Sequence, residues 1–150
     1  MYGFSFDRAS SVQDAVAKAA KGAQLLAGGQ TLLASMKQRL ASPESLVDLA
    51  AIADLQGICK DGNAMVIGAM TRHQEVAHNK ELQSTIPGLA RLAGGIGDRQ
   101  VRAMGTMGGS VANNDPAACY PSGVLGLGAT IKTNRREIAA DSFFKGMFST

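Results

Sequence analysis

The sequence predicts an α+β fold built from two parts. Its first 55 residues alternate short strand patterns with helical patterns, which is typical of a small β-α-β-α-β unit. After Asp54 this alternation ends, and hairpin signals and glycine-rich loops take its place. We therefore expect an N-terminal β/α subdomain over residues 1–55 and a second, sheet-containing subdomain over residues 56–150.

The elements of the first part follow from the spacing of apolar residues and from turn signals. Apolar side chains recur at helical spacing in two segments, and short apolar runs lie before, between and after them. The predicted elements are a strand at 4–6, a helix over about 11–21 capped by Ser10 or Ser11, a buried strand at 24–27, a helix from Thr31 that carries Leu40 on its apolar side, and a strand at 45–48.

The second part is divided by glycine and proline signals. Asp61-Gly62 between two apolar runs indicates a hairpin, and Pro87-Gly88 interrupts a helical pattern. Six glycines between 94 and 109 predict an irregular segment over 94–115. The tail over 141–150 is so apolar that we expect the chain to be cut within a larger fold. The other expected elements are hairpin strands at 57–60 and 64–67, helices over 71–79, 80–93 and 116–127, and hairpin strands at 129–132 and 136–139.

Composition and charge exclude several classes of function. The basic residues are scattered and the net charge is only +3, so no nucleic-acid partner is expected. Cys59 and Cys119 stand sixty positions apart, which rules out a zinc ribbon or an iron–sulfur cluster within the chain. His73 and His78 do not have the spacing of helical metal ligands, and no nucleophile elbow is present, so neither a metal site nor a catalytic residue is expected. Without an apolar run of about 18 residues or a signal peptide, we expect a cytoplasmic protein with no membrane span.

A glycine pair follows the predicted strand at 24–27, in the run Ala27-Gly28-Gly29-Gln30-Thr31, here called the first glycine motif. Such glycines let the backbone approach a ligand, and successive N–H groups before a helix can bind an anion. An ordinary tight connection has the same pattern, so both interpretations stay open. The run is not a Walker A loop, because Gln30 stands where that loop has Lys, and the Rossmann fingerprint lacks its third glycine.

A second run, Thr106-Met107-Gly108-Gly109-Ser110, again places two glycines between hydroxyl residues and is here called the second glycine motif. Two such turns on either side of a subdomain boundary suit a diphosphate lying in a cleft. Asp115 follows closely in the sequence. Cys119 is either a small buried residue at the start of a helix or a residue that faces a cofactor.

Taken together, these features resemble the FAD-binding medium subunit of molybdenum hydroxylases, the family of aerobic carbon monoxide dehydrogenase and xanthine dehydrogenase. The resemblance rests on both glycine motifs in the same order, on the segment Ile-Gly-Asp-Arg-Gln-Val-Arg at 96–102, and on Asp-Pro-Ala-Ala at 115–118. It extends from about Phe4 to the end of the chain.

The resemblance implies a vanillyl-alcohol-oxidase-type (PCMH-type) domain with FAD between its two subdomains, C-terminally incomplete because relatives continue well past residue 150. At the position of Cys119, many relatives carry an acidic residue that contacts FAD. A cysteine cannot supply the same charged acceptor, and Asp115 is a candidate substitute for that contact. The implied cofactor-binding residues are Ala27, Gly28, Gly29, Gln30, Thr31, Ile96, Thr106, Gly108, Gly109, Ser110, Asp115 and Cys119.

The same resemblance implies a role in electron transfer. The FAD of this chain would accept electrons from a small subunit that carries two [2Fe–2S] clusters and pass them to an external acceptor. A large molybdopterin-binding subunit would hydroxylate the substrate. Two alternatives remain: a truncated, non-catalytic fragment that binds FAD weakly or not at all, and a general binder of phosphate ligands.

Overall fold

A computed structural model describes residues 1–150 and confirms a mixed fold of helices and strands. No helix is both long enough and apolar enough to cross a membrane. The strands are β1 (Ser5–Arg8), β2 (Gln24–Leu26), β3 (Ser45–Asp48), β4 (Ile58–Asp61), β5 (Ala64–Ile67), β6 (Thr130–Lys132) and β7 (Glu137–Ala139). The helices are α1 (Val12–Ala19), α2 (Leu32–Lys37), α3 (His73–His78), α4 (Lys80–Thr85), α5 (Pro87–Gly94), α6 (Arg99–Met104), α7 (Met107–Asn113), α8 (Cys119–Gly126) and α9 (Ala140–Phe143).

The first three strands form a parallel sheet in the order β1-β3-β2. Parallel strands need crossover connections, which α1 and α2 supply here. Val47 of the central strand is fully buried in a cluster that includes Ala15 of α1. The strand predicted at 24–27 is confirmed as β2, but its predicted burial is wrong, because β2 pairs only with β3 and leaves Gln24 and Leu25 exposed at the edge of the sheet.

A larger core joins the helices of the second part to two antiparallel hairpins. Both predicted hairpins are confirmed, as the pairs β4–β5 and β6–β7. Both hairpins pack isoleucines against the cluster of buried residues that includes Leu89 and Val124; these are Ile58, Ile67, Ile131 and Ile138. The first hairpin turns at Gly62, whose φ of 57° lies in the left-handed region that favours glycine.

The prediction of an irregular segment over 94–115 is wrong, because α6 and α7 occupy much of it. Each of these helices begins at a side chain that accepts a hydrogen bond from the first turn. Asp98 Oδ1 accepts from the N–H of Val101 at 2.8 Å, and Thr106 Oγ1 accepts from the N–H of Gly109 at 3.3 Å. Caps of this kind stabilise a helix end by about 1 kcal/mol, which offsets the low helix propensity of glycine.

Two other helix boundaries differ from the prediction. α2 ends at Lys37, because Arg39 has a left-handed φ of 62°, and Leu40 is therefore 79% exposed and not on an apolar helix face. α8 begins at Cys119 and not at residue 116, because Asp115 forms a turn of its own with the N–H of Ala117 on Oδ1 at 2.9 Å.

Asn114 connects the end of α7 to the end of the chain. It ends the helix in the left-handed region, at φ 46°. Its side-chain Nδ2 donates to the carbonyl oxygens of Gly146 and Ser149 at 2.6 and 2.9 Å. The final turn of the chain is thereby attached to the helix that carries the second glycine motif.

Candidate cofactor-binding site

The first glycine motif forms the loop between β2 and α2. Gly29 has a φ of 70°, which a side chain would strain, so this position requires glycine. None of the five backbone N–H groups at 27–31 donates to another atom of the chain. The loop is half-buried at Gly28 and exposed at Gln30 and Thr31, so these donors lie near solvent at the start of α2. Unpaired N–H groups at such a position are suited to hold an anion.

The second glycine motif is not a loop but the cap and first turn of α7. The N–H groups of its last four residues are already used within the protein. Met107 donates to the carbonyl of Thr71 at 3.0 Å, and Gly108 donates to the carbonyl of Ala69 at 2.8 Å. Gly109 and Ser110 donate to the side chain and carbonyl of Thr106, so the amide chemistry of the first motif is not repeated.

What the second motif contributes instead is a hydroxyl and a supporting surface. Ser110 is half-buried, and its hydroxyl has no hydrogen-bond partner within the chain. Thr106, by contrast, is 4% exposed, and its hydroxyl oxygen accepts the N–H of Gly109 as the helix cap. Of the two hydroxyl residues in this motif, only Ser110 therefore has a hydroxyl free to contact a ligand.

The fold brings the two glycine motifs into contact. A Cβ atom added to Gly28 would lie 2.7 Å from Cα of Gly105, the residue immediately before the second motif. A Cβ atom added to Gly109 would lie 3.3 Å from Cβ of Ala27. The free amides of the first motif and the first turn of α7 are therefore neighbours, although more than seventy residues separate them in the sequence.

The structural reason for glycine at positions 28 and 108 differs from the one that the sequence suggests. The sequence suggested that their missing side chains leave room for a ligand. In the structure, an added Cβ on Gly28 would collide with the carbonyl oxygen of Met104, and one on Gly108 would lie 2.6 Å from Cα of Ala69. Both positions are glycine because another part of the backbone passes too closely.

The charges around the two motifs favour an anionic ligand. Residues 15–43, on either side of the first motif, include no Asp or Glu, and neither do residues 99–114 around the second. Arg102, four residues before the second motif in the sequence, carries a positive charge, and its Nη1 donates to the carbonyls of Ile96 and Gly97 at 3.0 Å. Neither segment therefore contains a carboxylate that would repel a phosphate group.

The remaining predicted residues lie in different surroundings. Ile96 is half-buried against the larger core. Asp115 is half-buried and accepts the N–H of Ala117 within its own turn. Cys119 is exposed at the start of α8, so the interpretation of a small buried residue is wrong.

Sequence reasoning missed two buried residues behind the second motif. His73 is 5% exposed and Tyr120 is fully buried, with their ring centroids 5.2 Å apart. Burial lowers the pKa of His73 and raises the pKa of Tyr120 far above its usual range. The sequence pattern around His73 gives no indication that it is buried. For Tyr120, Pro121 and the neighbouring apolar residues are a signal that could have predicted a buried helix.

Comparisons with known proteins identify the family. Residues 2–150 match the FAD-binding domain in molybdopterin dehydrogenase. The chain is 40% identical to the carbon monoxide dehydrogenase medium chain of Afipia carboxidovorans, over 98% of this chain and 54% of that protein. It is 38% identical to the glyceraldehyde dehydrogenase medium chain of Sulfolobus acidocaldarius, with the same shares covered. The chain thus spans about half the length of these relatives.

Solved structures agree with the family match. Reconstituted CO dehydrogenase from Oligotropha carboxidovorans superposes with a TM-score of 0.96 at 40% identity, over 99% of this chain and 55% of that chain. Quinoline 2-oxidoreductase from Pseudomonas putida 86 superposes with a TM-score of 0.94 at 31% identity, over 99% of this chain and 54% of that chain. The resemblance inferred from the two glycine motifs is confirmed: this chain belongs to the family of FAD-binding domains of molybdopterin dehydrogenases, and its cofactor is FAD.

Proposed function

We propose that the first glycine motif holds the pyrophosphate of FAD. The observation that carries this proposal is the run of five consecutive N–H groups at 27–31 with no acceptor in the chain. A pyrophosphate offers several anionic oxygens to such donors, and charge-assisted hydrogen bonds are about twice as strong as neutral ones. The side chains of Gln30 and Thr31 are exposed at the same loop and add further donors.

The second motif plays a supporting part in this proposal. Thr106, Gly108 and Gly109 fix the start of α7 against the first motif, and the Ser110 hydroxyl is free to contact the cofactor. Ile96 lies at the loop before α6 and is assigned an apolar contact with the nucleotide. Asp115 and Cys119 lie beyond the end of α7 and are the candidates for a polar contact with FAD.

The finer division of the fold belongs to the same proposal. The domain would be of the vanillyl-alcohol-oxidase type, with the parallel sheet in a subdomain over 1–55 and the hairpins and remaining helices in a subdomain over 56–150. The separate buried clusters of the two parts support this division. FAD would lie along the line where Gly28 meets Gly105.

We further propose that the chain serves as an electron relay in a larger oxidoreductase. Several relatives are named as medium chains or FAD subunits of dehydrogenases, including a carbon monoxide dehydrogenase medium chain and a nicotinate dehydrogenase FAD-subunit. A small [2Fe–2S] subunit would deliver electrons, and a large molybdopterin subunit would act on the substrate. The bound flavin supplies the redox chemistry, and the residues of this chain hold and orient it. The cytoplasmic location expected from the sequence stays a prediction.

Titration of the 150-residue chain with FAD tests the binding proposal. A flavin spectrum between roughly 300 and 550 nm that co-elutes with the protein is expected, as for other flavin sites. FAD should be displaced weakly by ADP and hardly at all by inorganic phosphate, because each occupies only part of the site. A folded protein that gains no flavin would instead support the non-catalytic alternative, and equal competition by phosphate would support the general phosphate binder.

A further inference from the structure

His73 lies directly behind the second glycine motif. It is the first residue of α3, and its backbone N–H donates to the carbonyl of Gly105 at 3.0 Å. A Cβ atom added to Gly105 would lie 2.5 Å from Nε2 of His73 and 2.8 Å from its Cδ2. The edge of the imidazole therefore rests on the Cα atom of Gly105.

Gly105 lies between this imidazole and the first glycine motif. On its other side, a Cβ added to Gly28 would lie 2.7 Å from Cα of Gly105 and 2.9 Å from the carbonyl carbon of Met104. One residue thus separates the His73 ring from the loop with the unpaired N–H groups. Because protein interiors are close-packed, a displacement of the ring shifts Gly105 and then that loop.

The surroundings of His73 favour a neutral ring. Its Nδ1 has no hydrogen-bond partner, and neither has the hydroxyl of its aromatic neighbour Tyr120. Burial alone lowers the pKa of His73, with no contribution from a neighbouring charge. The ionisable groups on the elements around it are Arg72, Glu75 and His78 beside and on α3, Lys80 and Glu81 on α4, Arg91 on α5, Asp98, Arg99 and Arg102 at α6, and Cys119 and Tyr120 on α8.

We infer that neutral His73 is a positioning residue for FAD: it holds Gly105 against the first glycine motif, and its protonation releases the cofactor. This inference rests on the proposed pyrophosphate site. A protonated ring would carry an additional N–H with no acceptor in a buried position, which is costly. The ring can relieve that cost only by moving toward solvent, and that movement withdraws support from Gly105.

The direction of the pH effect follows from linkage between proton and cofactor binding. If FAD binds only the form with neutral His73, protonation competes with binding. The dissociation constant for FAD should then be constant above the pKa of His73 and rise about tenfold for each pH unit below it. If His73 acted instead as a cation that attracts the phosphates, acid would tighten binding.

The first test measures FAD affinity between pH 8 and pH 5 at constant ionic strength for the wild type, His73→Gln and His78→Gln. Glutamine places a neutral polar group near the position of Nε2 but does not titrate in this range. His73→Gln should bind FAD at pH 8 within a few-fold of the wild type and lose little affinity in acid. The control is His78→Gln, which changes the exposed histidine at the other end of α3 and should retain the wild-type pH profile.

The second test needs no variant of His73. The chain has only two histidines, so NMR resolves their ring protons, and His78→Gln assigns them. The pKa of His73 should fall when FAD is added. Failure of the wild type to bind FAD at pH 8 would overturn the proposed function. Binding at pH 8 with an unchanged affinity at pH 5, or a His73 pKa that rises on FAD addition, would overturn this inference alone.

Discussion

Replacing Gln30 by Glu tests the proposed pyrophosphate site with little steric change. Gln30 is exposed in the middle of the loop with unpaired N–H groups, and its Nε2 makes one long hydrogen bond, 3.3 Å, to the carbonyl of Gly28. Glutamate has nearly the same shape. The substitution therefore leaves the packing alone and adds a negative charge where we place two phosphates.

The expected loss of affinity follows from Coulomb's law. Two unit charges about 5 Å apart repel by roughly 1–3 kcal/mol for dielectric constants between that of water and that of a protein surface. We therefore expect the dissociation constant for FAD to rise about 5- to 150-fold. The folded protein itself should not lose stability, because a carboxylate beside the start of α2 interacts favourably with the helix dipole, by about 0.3–1 kcal/mol. Loss of the Nε2 hydrogen bond to Gly28 offsets part of this gain, so FAD binding should weaken while stability changes little.

The matched control is Gln38→Glu. Gln38 is exposed at the other end of α2, about 12 Å along the helix axis from residue 30, which exceeds the Debye length of about 8 Å at physiological ionic strength. Flavin fluorescence titration measures affinity, and urea unfolding followed by circular dichroism measures stability. The loss of FAD affinity in Gln30→Glu should be smaller in 1 M salt, where the Debye length is about 3 Å. Equal FAD affinity of both folded variants would refute the assignment of the phosphates to this loop.

Three further predictions concern stability, each measured by urea unfolding of the flavin-free chain. Gly28→Ala should destabilise the chain by about 1–3 kcal/mol or prevent folding, since the new Cβ meets the backbone of Met104 and Gly105. The control Gly88→Ala, with open space around it, should be neutral or stabilising by up to about 1 kcal/mol. Equal unfolding midpoints of the two variants would contradict the close backbone contact as the reason for glycine at 28. Thr106→Val should cost about 1 kcal/mol through the lost helix cap, whereas Thr106→Ser should cost much less; a loss of the same size in both variants would rule the cap out as the cause. Burial lowers the pKa of His73 in the folded state, so below the ordinary histidine pKa of 6.5 the unfolded chain binds more protons than the folded chain. The free energy of unfolding should therefore be highest above pH 6.5 and fall as acid is added. His73→Gln should flatten this part of the stability profile, and an unaltered profile would count against a contribution from His73.

Local signals predicted much of the fold correctly. Ser11 caps α1 by accepting the N–H of Asp14, and Pro87-Gly88 interrupts the helical pattern over 80–93, since α4 ends at Thr85 and α5 begins at Pro87. These features depend on atoms within three or four residues, so the sequence contains all of their causes. The prediction of irregular backbone over 94–115 is wrong because Gly105, Gly108 and Gly109 allow close packing in and beside a helix, which their positions in the sequence do not reveal.

The two glycine motifs separate what the sequence determined from what the tertiary structure decided. Their residue types and order were enough to predict the family and its cofactor, because those are properties of the chain itself. Which motif keeps its N–H groups free could not be read from the sequence, since the answer depends on acceptors far along the chain. The carbonyls of Ala69 and Thr71 accept N–H groups of the second motif, whereas no carbonyl accepts a hydrogen bond from the N–H groups of the first. Only the folded arrangement therefore distinguishes the loop that we propose to bind phosphate from the helix start that packs against it.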